Sequence, residues 1–148
     1  MSSDIILVEQ QLNATVEIVW QALTNATQMK HWYFATENFI AEPGFSFVMY
    51  GEKEGNFFPI HGCIIEVIKN KLLSYSWSYQ SSTTTTTVVS FELIKRGNQS
   101  SITFTHKGLK DIPAALTNLS AANQIVGWKN IIKKSLKNYV EKRASANL

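Results

Sequence analysis

The side chains that could take part in chemistry are few in this sequence and stand far apart. The three histidines, His31, His61 and His106, do not have the spacing of metal ligands. A single cysteine, Cys63, excludes an internal disulfide and any cysteine-based zinc cluster. The sequence also lacks the motifs of nucleophile elbows, nucleotide-binding loops and metalloprotease helices. We therefore predict no metal and no cofactor, and the sequence favours a protein that is not an enzyme.

His106 is the polar residue whose role matters most. It alternates with Ile102 and Phe104 on the predicted inner face of a strand, where an imidazole needs a hydrogen-bond partner. Three roles stay open for it: a hydrogen-bonded core histidine, a contact to the polar group of a ligand, and general acid–base chemistry. Tyr75 and Tyr79 pose a similar choice, because each would turn its ring inward with a hydroxyl that requires a partner.

These polar side chains lie in segments whose apolar residues alternate, which predicts β-strands. The clearest segment covers residues 72–80, where alternation over the whole length predicts one buried and one solvent-facing side. The other strands are predicted over 5–12, 36–41 and 57–68, around Phe45, Phe47 and Met49, around Val89, Phe91 and Leu93, and around Ile102, Phe104 and His106. Pro59 and Gly62 predict a bend or bulge within the long strand, and the threonines before Val88 predict a hairpin loop.

The longest predicted element is a helix over residues 119–143. Its apolar residues recur at steps of three and four, which places them on one stripe, with lysines on the opposite side. The stripe contains Ile125, Trp128, Ile132, Leu136 and Tyr139, and the opposite side contains Lys129, Lys133, Lys134 and Lys137. Gly127 is unfavourable inside a helix, which suggests a close approach of a strand or ligand, or a bend. Two short helices are predicted after the first strand, one capped by Thr15 and one over 27–32.

The order of these elements predicts an α+β fold of a single domain, residues 1–148. Strands joined by hairpin-length turns form an antiparallel sheet of about seven strands, and the terminal helix is the predicted element long enough to cover its apolar face. A strongly twisted sheet would wrap round that helix. The sequence thus predicts a curved antiparallel sheet closed on one long C-terminal helix, with two short helices after the first strand.

Composition and charge narrow the classes of function. The chain has 45% hydrophobic and 17% charged residues, which is ordinary for a globular domain. It has no apolar run that could span a membrane and no secretory signal, so we expect a cytoplasmic protein. The net charge of +3 arises in residues 129–143, which hold six basic residues against one acidic. This excess matches the solvent-facing side of one helix, and we expect no nucleic-acid partner.

Several motifs, in this order and spacing, resemble the START-like SRPBCC superfamily. The nearest branch is the one named after the C-terminal domain of activators of the heat-shock protein 90 ATPase. The resemblance rests on residues 16–24, His31-Trp32-Tyr33, Gly62 with Ile65-Glu66-Val67, Leu73-Ser74-Tyr75-Ser76-Trp77, Ile102-Thr103-Phe104-Thr105-His106, Gly127-Trp128, Leu136 and Tyr139. It covers nearly the whole chain and implies a helix-grip fold, whose relatives often hold a hydrophobic molecule between the sheet and the long helix.

The leading hypothesis is non-enzymatic binding of a small hydrophobic molecule, lipid-like or aromatic, between the sheet and the C-terminal helix. The predicted lining residues are Trp32, Phe47, Tyr75, Trp77, Phe91, Phe104, His106, Trp128 and Ile132. One alternative is a chaperone cofactor or stress-response protein that uses the basic side of the helix to bind a chaperone or other protein. A second alternative is a cyclase- or dehydratase-like enzyme that uses His106 with Tyr75 or Tyr79. The sequence leaves the ligand and the oligomeric state open.

Overall fold

A computed structural model describes residues 5–53, 55–78, 87–108 and 127–146. The strands are β1 (Ile5–Leu12), β2 (Ala35–Thr36), β3 (Ser46–Lys53), β4 (Asn56–Ile68), β5 (Leu72–Trp77), β6 (Thr87–Arg96) and β7 (Gln99–Lys107). The helices are α1 (Val16–Thr24), α2 (Ala26–Trp32) and the C-terminal helix α3 (127–146). The order and type of the predicted elements are confirmed.

The strands form one antiparallel seven-stranded sheet in the order β1-β7-β6-β5-β4-β3-β2. From β3 to β7 each strand pairs with the next along the chain, and β1 closes the other edge against β7. Alternation places one set of side chains on the inner face, where they are buried. The inner face includes Val8, Met49, Ile60, Leu73, Tyr75, Val89, Phe91, Ile102 and Phe104.

The two short helices pack against this inner face. Thr15 caps α1 by accepting a hydrogen bond from the Ile18 N–H at 3.3 Å, as predicted. Asn25 ends α1 and caps α2 through its side chain, which accepts from the Gln28 N–H at 3.0 Å. α1 buries Val19 and Leu23, so both helices add apolar side chains to the core that the sheet forms.

The C-terminal helix covers the core, but it is not a regular α-helix. It is α-helical at 127–130, has π-helical hydrogen bonding over Ile131–Leu136, and is α-helical again over Lys137–Ala146. Trp128, Ile132 and Leu136 of the predicted stripe are buried, whereas Tyr139 is half-buried and the neighbouring Val140 is buried instead. The part of the predicted helix before residue 127, including Ile125, lies outside the described residues.

Two local predictions are wrong, and a third is only partly tested. The strand expected over 36–41 is limited to Ala35–Thr36, because the Thr36 hydroxyl instead donates to the Asn38 carbonyl at 2.8 Å and the chain turns. The irregularity expected at Pro59 and Gly62 occurs instead between Ile64 and Glu66, where the β4–β5 register shifts. A Cβ on Gly127 would meet no described atom within 4 Å, so among the described residues no strand approaches this glycine closely, and the alternatives of a ligand contact or a bend stay predictions.

Gly62 lies at a close approach between β4 and its neighbours. A Cβ there would come within 2.8 Å of a Phe47 ring carbon and of the Ser76 carbonyl oxygen. The missing side chain therefore lets the Phe47 ring fold over β4 into the core.

Among the described residues, no helix is long and apolar enough to cross a membrane.

Candidate functional site: an aromatic cluster beneath the C-terminal helix

All nine predicted lining residues are buried beneath the C-terminal helix or at its junction with the sheet. They come from α2, β3, β5, β6, β7 and α3, and none is more than 4% exposed. We call the rings among them, together with Tyr33, Phe34 and Phe39, the aromatic cluster. The predicted face of each strand is thus correct, and residues far apart in the sequence are brought together.

The rings of the aromatic cluster are in contact with one another. The Trp128 ring lies 4.1 Å from Phe104 and 5.2 Å from Trp77, measured between ring centroids. Phe91 lies 5.1 Å from Phe104 and 5.9 Å from Tyr75. These distances and tilted orientations are typical of packed aromatic pairs. The predicted lining residues from β5, β6, β7 and α3 therefore form one set of contacting rings.

His106 lies in a hydrogen-bonded chain at one end of the aromatic cluster. Its Nδ1 accepts the indole N–H of Trp128 at 3.0 Å, and its Nε2 lies 2.7 Å from the Thr87 hydroxyl. That hydroxyl lies 3.0 Å from the Trp77 carbonyl, to which it donates. Because Nδ1 must carry a free lone pair and the Thr87 proton is already donated, the proton of a neutral His106 sits on Nε2. The imidazole thereby ties α3 to β6 and β7.

Burial lowers the pKa of His106 from 6.5 to about 4. The hydrogen-bond pattern points in the same direction, since a protonated imidazole could no longer accept the Trp128 N–H. His106 is therefore neutral at physiological pH. It serves as a hydrogen-bonded core histidine in this structure.

Tyr75 lies deeper in the aromatic cluster and has a different partner. Its hydroxyl is 2.6 Å from the hydroxyl of Tyr33, and its side chain is 1% exposed. Burial raises the pKa of Tyr75 well above its ordinary value of 10, and the Tyr33 hydrogen bond offsets this only in part. Tyr75 and His106 thus belong to two separate hydrogen-bonded groups, and Tyr79 lies outside the described residues. This arrangement does not favour the cyclase- or dehydratase-like alternative.

Trp32 and Ile132 lie at the junction between α2 and α3. The Trp32 indole N–H donates to the Ala22 carbonyl at 2.8 Å, and the Trp32 carbonyl accepts from the Ser135 hydroxyl at 2.7 Å. Ser135 belongs to the π-helical segment, so this segment is where α3 is joined to α2. Trp32 therefore joins the helices, and Ile132, in the same π-helical segment as Ser135, is fully buried in the core.

Sequence reasoning missed two members of the aromatic cluster that matter for access, Tyr33 and Phe34. Both are only half-buried, unlike the residues they cover. The Tyr33 ring lies 6.1 Å from both Phe91 and Trp128, and the Phe34 ring lies 5.8 Å from Trp77. The available signal was the run of aromatic residues directly after α2. Tyr33 belongs to the family motif His31-Trp32-Tyr33, and Phe34 follows it directly.

The predicted basic side of α3 is partly engaged within the molecule. The Lys133 ammonium donates to the Glu9 carbonyl at 2.8 Å, and Lys137 forms an ion pair with Glu141 at 2.9 Å. Hydrogen bonds to Asn13 and Lys137 lower the pKa of Glu141 although its desolvation opposes this. Lys129 is exposed. This side of the helix is therefore attached in part to β1 and the residue after it rather than wholly free.

Comparison with known proteins identifies the family. The model for the family described as "Activator of Hsp90 ATPase homolog 1-like protein" matches residues 13–141. The chain belongs to this family. The comparison with curated proteins finds no match to this chain.

Solved structures share the fold of this family member at low sequence identity. Protein MLL2253 from Mesorhizobium loti has a TM-score of 0.76 at 20% identity, covering 93% of this chain and 97% of that one. The Aha1 dimer from Colwellia psychrerythraea has a TM-score of 0.71 at 21% identity, covering 93% and 96%. CalU16 from Micromonospora echinospora has a TM-score of 0.69 at 19% identity, covering 97% and 82%. At these identities the likeness establishes the α+β fold alone.

Proposed function

We propose that this protein binds a small, neutral, hydrophobic molecule with aromatic character in the aromatic cluster between the sheet and α3. The observation that carries the proposal is a buried set of rings that also holds two hydrogen-bonded groups, one around His106 and one at Tyr75, beneath the half-buried Tyr33 and Phe34. A ligand site of this kind is mostly apolar, with a few polar groups that fix orientation.

Tyr33 and Phe34 would control access. They lie between the end of α2 and the short strand β2, and their rings contact each other in a tilted arrangement with centroids 4.7 Å apart. If these two rings swing outward, the rings of Phe91, Trp128 and Trp77 become accessible. The ligand then replaces the contacts that Tyr33 and Phe34 make, so little apolar surface is left uncovered in either state.

The chemistry of the aromatic cluster favours a neutral ligand. Its described members carry no formal charge, because His106 is neutral. Burying a charge there without a partner would be strongly unfavourable. A hydroxyl or carbonyl on the ligand can instead bond to the Tyr75 hydroxyl once Tyr33 has moved away.

The direct test is binding of a neutral aromatic probe, N-phenyl-1-naphthylamine, monitored by its fluorescence. We expect saturable binding with one site per chain, and native mass spectrometry of gently purified protein should show any co-purified molecule as added mass.

Replacing Phe91, which is 1% exposed, by tryptophan should weaken binding by filling the site. Phe57→Trp is the matched control, because Phe57 is 70% exposed. This variant should bind the probe as the parent protein does. Equal binding by both variants would refute the proposed site.

The family description supports a second candidate, a cofactor of a chaperone ATPase or a stress-response protein. In that case the exposed Lys129 on α3 would face an acidic partner, with binding weakened by salt. The test is stimulation of a heat-shock protein 90 ATPase by the full chain. A rate unchanged by the protein at saturating concentration would exclude this activity. Either function is proposed for the cytoplasm.

A further inference from the structure

The Tyr75 hydroxyl belongs to a ring that is surrounded by hydrocarbon rings. The rings of Phe39, Phe47 and Phe91 lie 6.2, 5.1 and 5.9 Å from the Tyr75 ring, measured between centroids. None of these three side chains has an oxygen or nitrogen atom with which the hydroxyl could bond. Among the described residues, the Tyr75 hydroxyl bonds to the Tyr33 hydroxyl, 2.6 Å away.

The number of protons in this pair of hydroxyls limits what can replace Tyr33. Two hydroxyls hold two protons, but only one of these can lie between the two oxygen atoms, so the other must point elsewhere. Tyr75 is 1% exposed, whereas Tyr33 is half-buried. The arrangement that satisfies the buried group is the one in which the Tyr75 O–H donates and the Tyr33 oxygen accepts.

The same count distinguishes the polar groups that a bound ligand could present to Tyr75. A ligand carbonyl brings an acceptor and no proton, so the Tyr75 O–H donates to it and both groups are satisfied. A ligand hydroxyl brings a second proton, which leaves one O–H among hydrocarbon rings without an acceptor. A ligand N–H brings a proton but no acceptor for the Tyr75 proton. Of these groups, only the carbonyl leaves no buried donor unbonded.

The other hydrogen-bonded group of the aromatic cluster has its protons engaged within the protein. The Trp128 N–H donates to Nδ1 of His106, the His106 Nε2–H donates to the Thr87 hydroxyl, and that hydroxyl donates to the Trp77 carbonyl. A ligand would have to break this chain to bond there. The Tyr75 proton needs only the outward movement of Tyr33 that the proposed function already includes, and burial holds the pKa of Tyr75 above 10, so the proton stays in place at neutral pH.

We propose that Tyr75 selects aromatic ketones over the corresponding hydrocarbons, alcohols and amines by donating its O–H to the ligand carbonyl. The carbonyl oxygen takes the place that the Tyr33 hydroxyl holds in the ligand-free protein, and the aromatic body of the ligand lies against the ring of Phe91. This inference rests on the proposed function, because it concerns the same site, and it narrows the ligand class from neutral aromatic molecules to those that carry a carbonyl.

The test compares tricyclic compounds of nearly the same shape on the full chain. At the same ring position fluorenone carries a carbonyl, fluorene a methylene group and carbazole an N–H. Their affinities are measured by displacement of N-phenyl-1-naphthylamine. We expect fluorenone to bind about fivefold more tightly than fluorene, as one neutral hydrogen bond provides, and carbazole to bind no more tightly than fluorene. The infrared carbonyl stretch of bound fluorenone should move to lower frequency, as a hydrogen-bonded carbonyl does.

Two tyrosine variants assign the preference to one hydroxyl. Tyr75→Phe removes the donor, so fluorenone should lose its advantage over fluorene and the shift of its carbonyl stretch. Tyr33→Phe is the matched control, because it removes the other hydroxyl of the pair and should keep the ratio of the two affinities.

Two kinds of failure can be told apart. Equal affinities of the three compounds for the parent protein, or the same fluorenone-to-fluorene ratio in the parent and in Tyr75→Phe, would overturn this inference and leave the proposed function standing. No binding of the three compounds or of the probe to the parent protein would overturn both.

Discussion

At the scale of single residues, the structure gives His106 a structural role that depends on pH. Its native pKa of about 4 lies below the ordinary value of 6.5, so between these two values the unfolded chain binds more protons than the native one. The free energy of unfolding should therefore be highest above pH 6.5 and fall as the pH is lowered towards 4. The full difference corresponds to about 3 kcal/mol.

Denaturant unfolding at a series of pH values checks this prediction. His106→Gln should flatten the slope between pH 4 and 6.5, because the titrating group is gone. His31→Gln is the control and should keep the slope of the unfolding free energy against pH. His31 is exposed, and its ring stacks on Tyr139 outside the buried hydrogen-bonded chain of His106. A slope that persists unchanged in His106→Gln would show that another group is responsible.

The two bonded tyrosines should respond unequally to loss of a hydroxyl. Tyr33→Phe leaves the Tyr75 hydroxyl buried without its partner, which we expect to cost about 1–3 kcal/mol of the free energy of unfolding. Tyr75→Phe should cost only about 1 kcal/mol, since the half-buried Tyr33 can turn towards water. Urea unfolding of both variants and of the double variant measures the asymmetry. Equal costs would contradict the burial difference between the two hydroxyls.

The sequence predicted which way these side chains point but not which atoms they bond. Alternation along β5 and β7 was enough to turn Tyr75 and His106 inward. Their partners could not be predicted in this way, because Trp128 and Tyr33 lie in other elements, 22 and 42 residues away along the chain. Such pairs depend on how the elements pack, and local periodicity carries no information about that.

At the scale of elements, two glycines should behave in opposite ways. Gly62→Ala would bring a methyl group against the Phe47 ring and the Ser76 carbonyl, and we expect it to lower the free energy of unfolding by about 1–3 kcal/mol. Gly127→Ala meets no described atom within 4 Å and lies in helix α3, so it should raise stability by about 0.5–1 kcal/mol. Thermal unfolding of both variants tests this. A stable Gly62→Ala protein would contradict the close approach of Phe47.

The C-terminal helix shows where pattern reasoning stops at this scale. The apolar stripe through Trp128, Ile132 and Leu136 predicted its position and its buried side. The π-helical segment was not predicted, because steps of three and four do not distinguish one widened turn from regular α-helix. In the structure this segment carries Ser135, which bonds to the Trp32 carbonyl. We interpret the widened turn as the change in α3 that lets Ser135 reach the Trp32 carbonyl at the end of α2.

At the scale of the whole molecule, the arrangement of strands and helices could be predicted while the internal space could not. The order of short strands and turns, with one long amphipathic helix at the end, is compatible with few folds, and the seven-stranded antiparallel sheet confirms it. Whether large inward rings fill a chamber or line it depends on the summed volume of residues from every element. Among the described residues the large rings contact one another, with Tyr33 and Phe34 half-buried beside them.

The central claim is that a neutral aromatic molecule binds beneath α3, and intermolecular nuclear Overhauser effects test it most directly. The measurement uses the full chain saturated with N-phenyl-1-naphthylamine. We predict contacts from the bound probe to the ring protons of Phe91, Phe104 and Trp128, together with shifts of Tyr33 and Phe34 as they move outward. Contacts only to exposed side chains such as Phe57, or no contacts at saturation, would contradict the account.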